Sequence, residues 1–149
     1  QDPEVTKYLV WSPHKTIDTT RAFLLHCVQC WEDANGVVFP WVITLKADQA
    51  VIGMIELRID EFQADFGYAI ARKYWGKGYT TEAARAIVQW ALVQEGIYRV
   101  WATCDVDNLA SARVLEKTGL QKEGILRRYI IHPNISSEPR DCCCYAIVK

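Results

Sequence analysis

The chain has almost no excess of charge: 17 Lys and Arg stand against 18 Asp and Glu in 149 residues, a formal net charge of −1. Both signs are spread along the chain, so there is no broad basic footprint for nucleic acid or an anionic membrane. Any phosphate recognition must be local. No apolar run approaches the roughly 18 residues that a membrane span needs, and "QDPEVTKYL" has neither a basic nor an apolar leader region. The expected compartment is the cytoplasm. An initial methionine is missing too, and Pro3, Val5 and Leu9 read as the middle of an element, so a leading segment is expected ahead of Gln1. What remains, 50% hydrophobic, 11% aromatic and 23% charged, describes one compact domain over residues 1–149 with a sizeable core.

A second pair of closely spaced cysteines is absent as well. "HCVQC" sets Cys27 and Cys30 at a metal-like or redox-like spacing. A structural zinc site wants two such pairs, and haem attachment needs the histidine after the second cysteine, whereas His26 precedes the first. The three residues of "CCC" at 142–144 would point to alternating faces of a strand and cannot converge on one ion. No metal is expected, and the six cysteines are expected to be buried free thiols.

Periodicity places the elements. "TIDTTRAFLLHCVQCW" predicts a helix capped by Thr16 or Asp18, with Phe23, Leu24, Cys27, Val28 and Trp31 on one face. "ANG" predicts a turn, followed by two strands broken at Ala47 to Gln49, with Pro40 near the start of the first. In the second strand Ile55, Leu57 and Ile59 alternate with Glu56, Arg58 and Asp60. A third strand, "DFGYAIAR", alternates Phe66, Tyr68 and Ile70 with the small Gly67, Ala69 and Ala71, a face that something can approach closely. Ala83, Ala84, Ile87, Val88, Ala91 and Leu92 mark a helix that stops at Gly96. A strand over Tyr98 to Asp105 follows, then a short helix from the cap Asn108 to Gly119, and two more extended segments flank "PNISSEP". The order predicts an α/β (α+β) domain in which strand 66–72, helix 80–94 and strand 98–105 form a parallel crossover.

The turn "YWGKGYTTEA" joins that strand to that helix. It lacks the spacing and lysine of a P-loop, and Thr81 occupies the third glycine of a dinucleotide-binding fingerprint. What stands is a helix start with exposed N–H groups from Gly76 to Thr81 and Arg72, Lys73 and Lys77 close by, which suits a phosphate or pyrophosphate. A tight turn with nothing bound is the plain alternative.

"YWGKGYTTEAARAIVQWAL" and "YRVWATCDVDNLASARVLEKTGLQKEG" together resemble the GCN5-related N-acetyltransferases (GNAT), within them the RimJ/RimL branch that acetylates ribosomal protein N-termini. The similarity runs from "DPEVTKYLVW" to "DCCCYAIV". It implies a mixed, mostly antiparallel central sheet with helices on both faces and a splayed parallel strand pair. It also implies acetyl-CoA as co-substrate. Gly76, Lys77, Gly78, Tyr79, Thr80 and Thr81 would hold the pyrophosphate, with Lys73 the basic residue three before the first glycine. Ile70, Ala71 and Arg72 would run beside the pantetheine arm, which Asn108 would also contact. The family strand and most of a helix that precede "DPEVTKYLVW" are missing here, so the acceptor pocket is expected to lose a wall.

An attacking amine must lose a proton, and Glu56 is the candidate base, with a water relay or a merely solvated carboxylate as alternatives. A backbone N–H near Ile70 or Ala71 would stabilise the oxyanion. The departing thiolate needs a donor. The family tyrosine seven residues after the asparagine is Leu115 here, but Ser111 lies on the same helix face one turn earlier and could reach the sulfur; otherwise it only serves the helix start. Leu120 replaces a customary phenylalanine. Trp11, Trp31, Trp41 and Phe62 could line an acceptor groove, or be core.

The reading is therefore an N-acetyltransferase acting by direct attack in a ternary complex on a protein N-terminal α-amine or a small amine, with a homodimer as a further expectation and neither nucleic acid nor membrane as partner. The alternative is a catalytically degenerate acyl-CoA-binding regulatory module. A nucleotide-binding protein using the same turn is the reading without CoA.

Overall fold

A computed structural model describes residues 2–33 and 36–149. The turn expected at "ANG" falls on residues 34 and 35, outside the described residues. The elements are α1 (Pro3–Thr6), α2 (Ile17–Glu32), β1 (Val38–Thr44), β2 (Val51–Asp60), β3 (Gln63–Ile70), a 3-10 turn (Arg72–Tyr74), α3 (Tyr79–Val93), β4 (Arg99–Asp105), α4 (Leu109–Thr118), β5 (Gln121–Ile130) and β6 (Arg140–Val148). The predicted order holds, with α1 and the 3-10 turn added. Strand β3 starts and ends earlier than the predicted 66–72, because Arg72 already belongs to the 3-10 turn.

The sheet has six strands in the order β1-β2-β3-β4-β6-β5. Every neighbouring pair is antiparallel except β3 with β4, which is parallel as the crossover requires. Register fixes the two faces. Leu57 pairs Phe66 and Ile55 pairs Tyr68, while Ala102 pairs Tyr145 and Cys104 pairs Cys143. These side chains form the core with Ala84, Val88 and Ala91 of α3 and Leu115 of α4. On the opposite face of β2 and β3 stand Glu56, Arg58, Asp65 and Gly67.

The small residues of α3 let it seat close to the sheet: Ala84 and Ala91 are fully buried and Val88 is 2% exposed. Leu115 is 1% exposed, so truncating it to alanine would cost about 2–5 kcal/mol. Helix α2 forms where predicted, with Thr16 of the two candidates as its cap, and Leu24, Val28 and Trp31 of its apolar side are about half exposed. The periodicity is that of an amphipathic helix, and α2 runs along β1, its end held by the Trp31 indole donating to the Pro40 carbonyl (2.7 Å) and its start by His14 against Thr20 and Phe23. Cys104 and Cys142 to Cys144 are buried as expected, whereas Cys27 and Cys30 on α2 are half-buried; all six are free. Among the described residues no helix is long and apolar enough to cross a membrane.

Candidate active site

The parallel pair is joined only at its beginning. Gln63, Ala64 and Asp65 pair Arg99, Val100 and Trp101, and there the ladder stops, although β3 continues to Ile70 and β4 to Asp105. The Ala71 N–H donates to the Ile52 carbonyl of β2 (2.8 Å). By strand alternation Phe66, Tyr68 and Ile70 therefore direct their N–H groups toward β4, across a gap where β4 no longer pairs with them. Of the two candidates for the oxyanion contact, the Ala71 N–H is spent on β2, and Ile70 is the one whose N–H faces the gap by strand alternation. β2 fixes the end of β3 by a close approach at Gly53, where an added Cβ would stand 2.4 Å from the Ala69 oxygen. On the small face of β3 a Cβ at Gly67 would meet nothing within 4 Å, so the predicted open face is present.

Beyond the gap lies the glycine turn. Trp75 pins it by donating Nε1 to the Ile70 carbonyl (2.9 Å). Gly76 and Gly78 both take left-handed conformations, φ +73° and +85°, which explains the glycines, since a Cβ at either would meet nothing within 4 Å. Gly78 is the N-cap of α3 and brings no side chain to its first-turn N–H groups at Tyr79, Thr80 and Thr81. The ammonium groups of Lys73 and Lys77 lie over the Tyr74 ring, 4.9 and 5.6 Å from its centre, and Arg72 precedes them in the exposed 3-10 turn. An open groove of about 600 Å³ continues from Gly78 and Thr81 along Arg85 and Gln89 to Lys117.

At the other end of the gap three elements converge. Ser111 of α4 lies 2.7 Å from the Tyr68 hydroxyl of β3. Burial pushes the Cys104 thiol of β4 up to about 12, with a hydrogen bond to Ser111 pulling the other way. Ser111 thus bridges the two strands that have parted. Asn108 caps α4 by accepting the Ser111 N–H on Oδ1 (3.1 Å), which leaves its amide N–H groups for another partner. Leu115 is core. Glu56 is elsewhere: it stands on the opposite face, opposite Gly67, and accepts from the Arg58 guanidinium (2.8 Å), which also holds Asp65.

The four aromatics expected around an acceptor groove do not meet. Trp31 and Trp41 cluster with Phe39 and Trp90 beside β1, Phe62 sits in the β2–β3 turn, and Trp11 packs on His14. The carbonyl of Phe62 accepts from Tyr98 N–H at the closed end of the parallel pair, far along the strands from Ser111. Instead Tyr8 reaches the β4–α4 loop, its hydroxyl donating to the Asp107 carbonyl (3.4 Å), and Asn134 donates to the Thr6 and Trp11 carbonyls (2.7 and 2.9 Å).

A sheet that opens between two parallel strands, with a bare helix start at the mouth, matches what sequence comparison finds. Residues 1–121 match the acetyltransferase (GNAT) domain. The chain belongs to the GNAT acetyltransferases. It is 30% identical over 149 residues to the uncharacterized N-acetyltransferase YoaA of Bacillus subtilis, covering 98% of this chain and 81% of that protein. The crystal structure of a GNAT-family acetyltransferase from Bacillus anthracis superposes with a TM-score of 0.80 at 30% identity, over 99% of this chain and 82% of that one. RimL, a ribosomal L7/L12 α-N-protein acetyltransferase solved with coenzyme A, shares the fold with a TM-score of 0.81 at 19% identity, over 96% of this chain and 79% of its own. GNAT homologues are held in complex with acetyl-CoA or CoA. This GNAT chain is accordingly an acetyl-CoA-dependent N-acetyltransferase.

In this acetyltransferase the glycine turn, Ile70, Asn108 and Ser111 all lie at the ends of β3 and β4 or in the helix starts that follow them, and Glu56 lies on the opposite face of the sheet from the core. Sequence reading missed Tyr68 as a site residue and Trp75 as the pin of the turn. Tyr68 alternates with glycine and alanine in β3, so its neighbours were legible, but its hydroxyl contact with α4, 43 residues on, was not.

Proposed function

We propose that the acceptor of this enzyme is a primary amine of low basicity, foremost the α-amine of a protein N-terminus as in the RimJ/RimL branch, and otherwise a small amine. The acetyl group passes directly from acetyl-CoA in a ternary complex. The observation that carries the reading is the loss of pairing between β3 and β4 beyond Asp65 and Trp101, with the uncapped start of α3 following β3. Acetyl-CoA fits it end to end: pyrophosphate on the N–H groups from Gly76 to Thr81, beside Arg72, Lys73 and Lys77, and pantetheine along Ile70, Ala71 and Asn108. The thioester oxygen would lie on the Ile70 N–H as it gains charge.

The basicity of the amine itself supports the choice, because Glu56 is tied to Arg58 on the opposite face of the sheet. An α-amine with pKa about 8 supplies a fraction of neutral nucleophile near pH 7, whereas a lysine amine with pKa about 10.4 is almost wholly protonated. An acceptor that is already partly neutral asks least of the protein, and that is the α-amine.

A thiol-release assay over N-terminal peptides, N-blocked lysine peptides and small amines, with mass spectrometry of the product, tests this. Turnover is expected with free N-termini. Turnover on lysine peptides alone would overturn the α-amine reading. Tight CoA binding with no turnover on any amine would favour the regulatory acyl-CoA-binding module instead.

A further inference from the structure

We propose that Tyr68 is a positioning residue for the leaving thiolate: its hydroxyl donates to Ser111 and so aims the serine proton at the sulfur of the departing coenzyme A. The inference rests on the placement of the thioester sulfur beside Ser111 and goes beyond it by naming what orients that hydroxyl.

Three observations carry it. Tyr68 Oη and Ser111 Oγ are 2.7 Å apart, a short hydroxyl–hydroxyl contact between β3 and α4. The phenol has only two places to send its proton, Ser111 Oγ or the Ser111 carbonyl at 3.5 Å, and the nearer is much the better acceptor. The phenol also keeps that proton, because burial raises its pKa above the ordinary tyrosine value; the Ser111 hydrogen bond opposes this only in part. With its oxygen accepting from Tyr68, Ser111 retains one proton to donate, and the Cys104 thiol is a further hydrogen-bonding neighbour. Across the gap Cys104 is a weak acceptor whose thiol burial keeps protonated, so it holds the serine proton loosely and yields it to a better acceptor.

Neither hydroxyl is acidic enough to give up its proton outright to a thiolate, so the service is hydrogen bonding rather than acid catalysis. The amine nitrogen forms its bond to the acetyl carbon, and the carbon–sulfur bond breaks with its electron pair going to sulfur. The proton released by the amine equals the one the thiolate takes up. While sulfur carries the charge, Ser111 donates to it, and donation from Tyr68 polarises Ser111 and strengthens that bond. The chain thereby answers the missing tyrosine at Leu115 with a phenol from the facing strand.

The test needs no acceptor. The thiol of free CoA bound to the protein is titrated by its thiolate ultraviolet absorbance in wild type, S111A, Y68F and the double variant, with CoA affinity measured on each. S111A should raise the bound thiol pKa by about one unit, the worth of a hydrogen bond to a charged group. Y68F should raise it by about half a unit at unchanged CoA affinity, and the double variant should match S111A, since Tyr68 acts only through Ser111. A wild-type titration in Y68F, additive effects in the double variant, or loss of CoA binding in Y68F would each overturn the proposal for Tyr68. No shift in S111A would instead remove the placement of sulfur beside Ser111, on which the proposal rests.

Discussion

Strands β3 and β4 are parallel neighbours, and each runs out of the sheet at the same end into a helix, yet the two helix starts are built in opposite ways. α4 is fully furnished. Asn108 caps it, Asp105 accepts the Asp107 N–H (2.9 Å), and Arg140 grips Asp105 and Asp107 together. α3 is bare: Gly78 stands at its N-cap with no side chain to offer. A helix start without a cap leaves N–H groups that the fold itself does not satisfy, and those groups favour an anion. The difference matches the two duties proposed for these starts, a rigid seat for Ser111 and an anion-binding N–H cluster for the pyrophosphate.

Filling the bare seat should have the largest effect. Gly78→Asp puts an N-cap carboxylate where the pyrophosphate would lie. The left-handed φ at Gly78 strains any side chain by about 1–2 kcal/mol, so a modest fall in Tm is expected beside the binding effect. Acetyl-CoA affinity should fall by at least about a hundredfold, because like charges placed together cost several kcal/mol. Calorimetry with acetyl-CoA beside a melting curve reads both, and unchanged affinity would break the contrast between the two starts.

Emptying the furnished seat comes next. Burial alone would raise the Asp105 carboxyl, but the paired hydrogen bonds from Arg140 and the Asp107 N–H outweigh it, and its pKa lies below the ordinary value. Asp105 is 1% exposed, so Asp105→Asn leaves Arg140 short of a partner and should cost about 3 kcal/mol, a fall in Tm of about 6–12 °C. The sign with pH follows from the lowered value. The carboxylate stabilises the fold at every pH above its unfolded pKa of about 3.9, and that contribution is lost as pH falls through the folded value. Melting curves of wild type and D105N should therefore stay apart from pH 7 to about 5 and converge in more acidic buffer. A gap that widened on acidification would contradict the assignment.

How much of this contrast could be read in advance depends on the range of the interaction. Gly76, Gly78, Asn108 and Gly119 act within one turn of their own positions, so their roles follow from local chemistry. The alternation of Phe66 and Tyr68 with Gly67 and Ala69 likewise placed the two faces of β3. The place where β3 and β4 stop pairing is set by how two distant strands twist apart, and no residue in either one announces it. Arg140 and Asp105 are 35 residues apart, and Tyr68 and Ser111 are 43 apart. These contacts exist only once the sheet is assembled. The helix α2 was legible for the same local reason, but its half-exposed apolar side was not: periodicity tells which side of a helix is apolar, not what surface it meets.

A finer cut tests Asn108, which has two parts. Its oxygen caps α4, while its amide N–H groups are proposed to hold the pantetheine arm. Asn108→Ala removes both and should cost about 1 kcal/mol of stability and about fivefold in CoA affinity, each the worth of one neutral hydrogen bond. Asn108→Asp keeps the cap but has no amide, so stability should recover while the affinity loss remains. Recovery of both together would mean that Asn108 serves α4 alone.

The smallest effect belongs to the lysines at the bare start. Lys73 and Lys77 are exposed, with their ammonium groups over the Tyr74 ring, where water and salt screen them, so their proposed part is to steer the pyrophosphate rather than to bind it. Lys73→Ala and Lys77→Ala should each weaken acetyl-CoA binding about two- to threefold at low ionic strength. In about 1 M salt, where the Debye length shrinks to about 3 Å, both variants should approach wild type, whereas the Gly78→Asp defect should persist because its carboxylate occupies the binding position itself. Equal salt dependence in all three variants would show that the N–H groups of α3 contribute little and that the lysines carry the recognition.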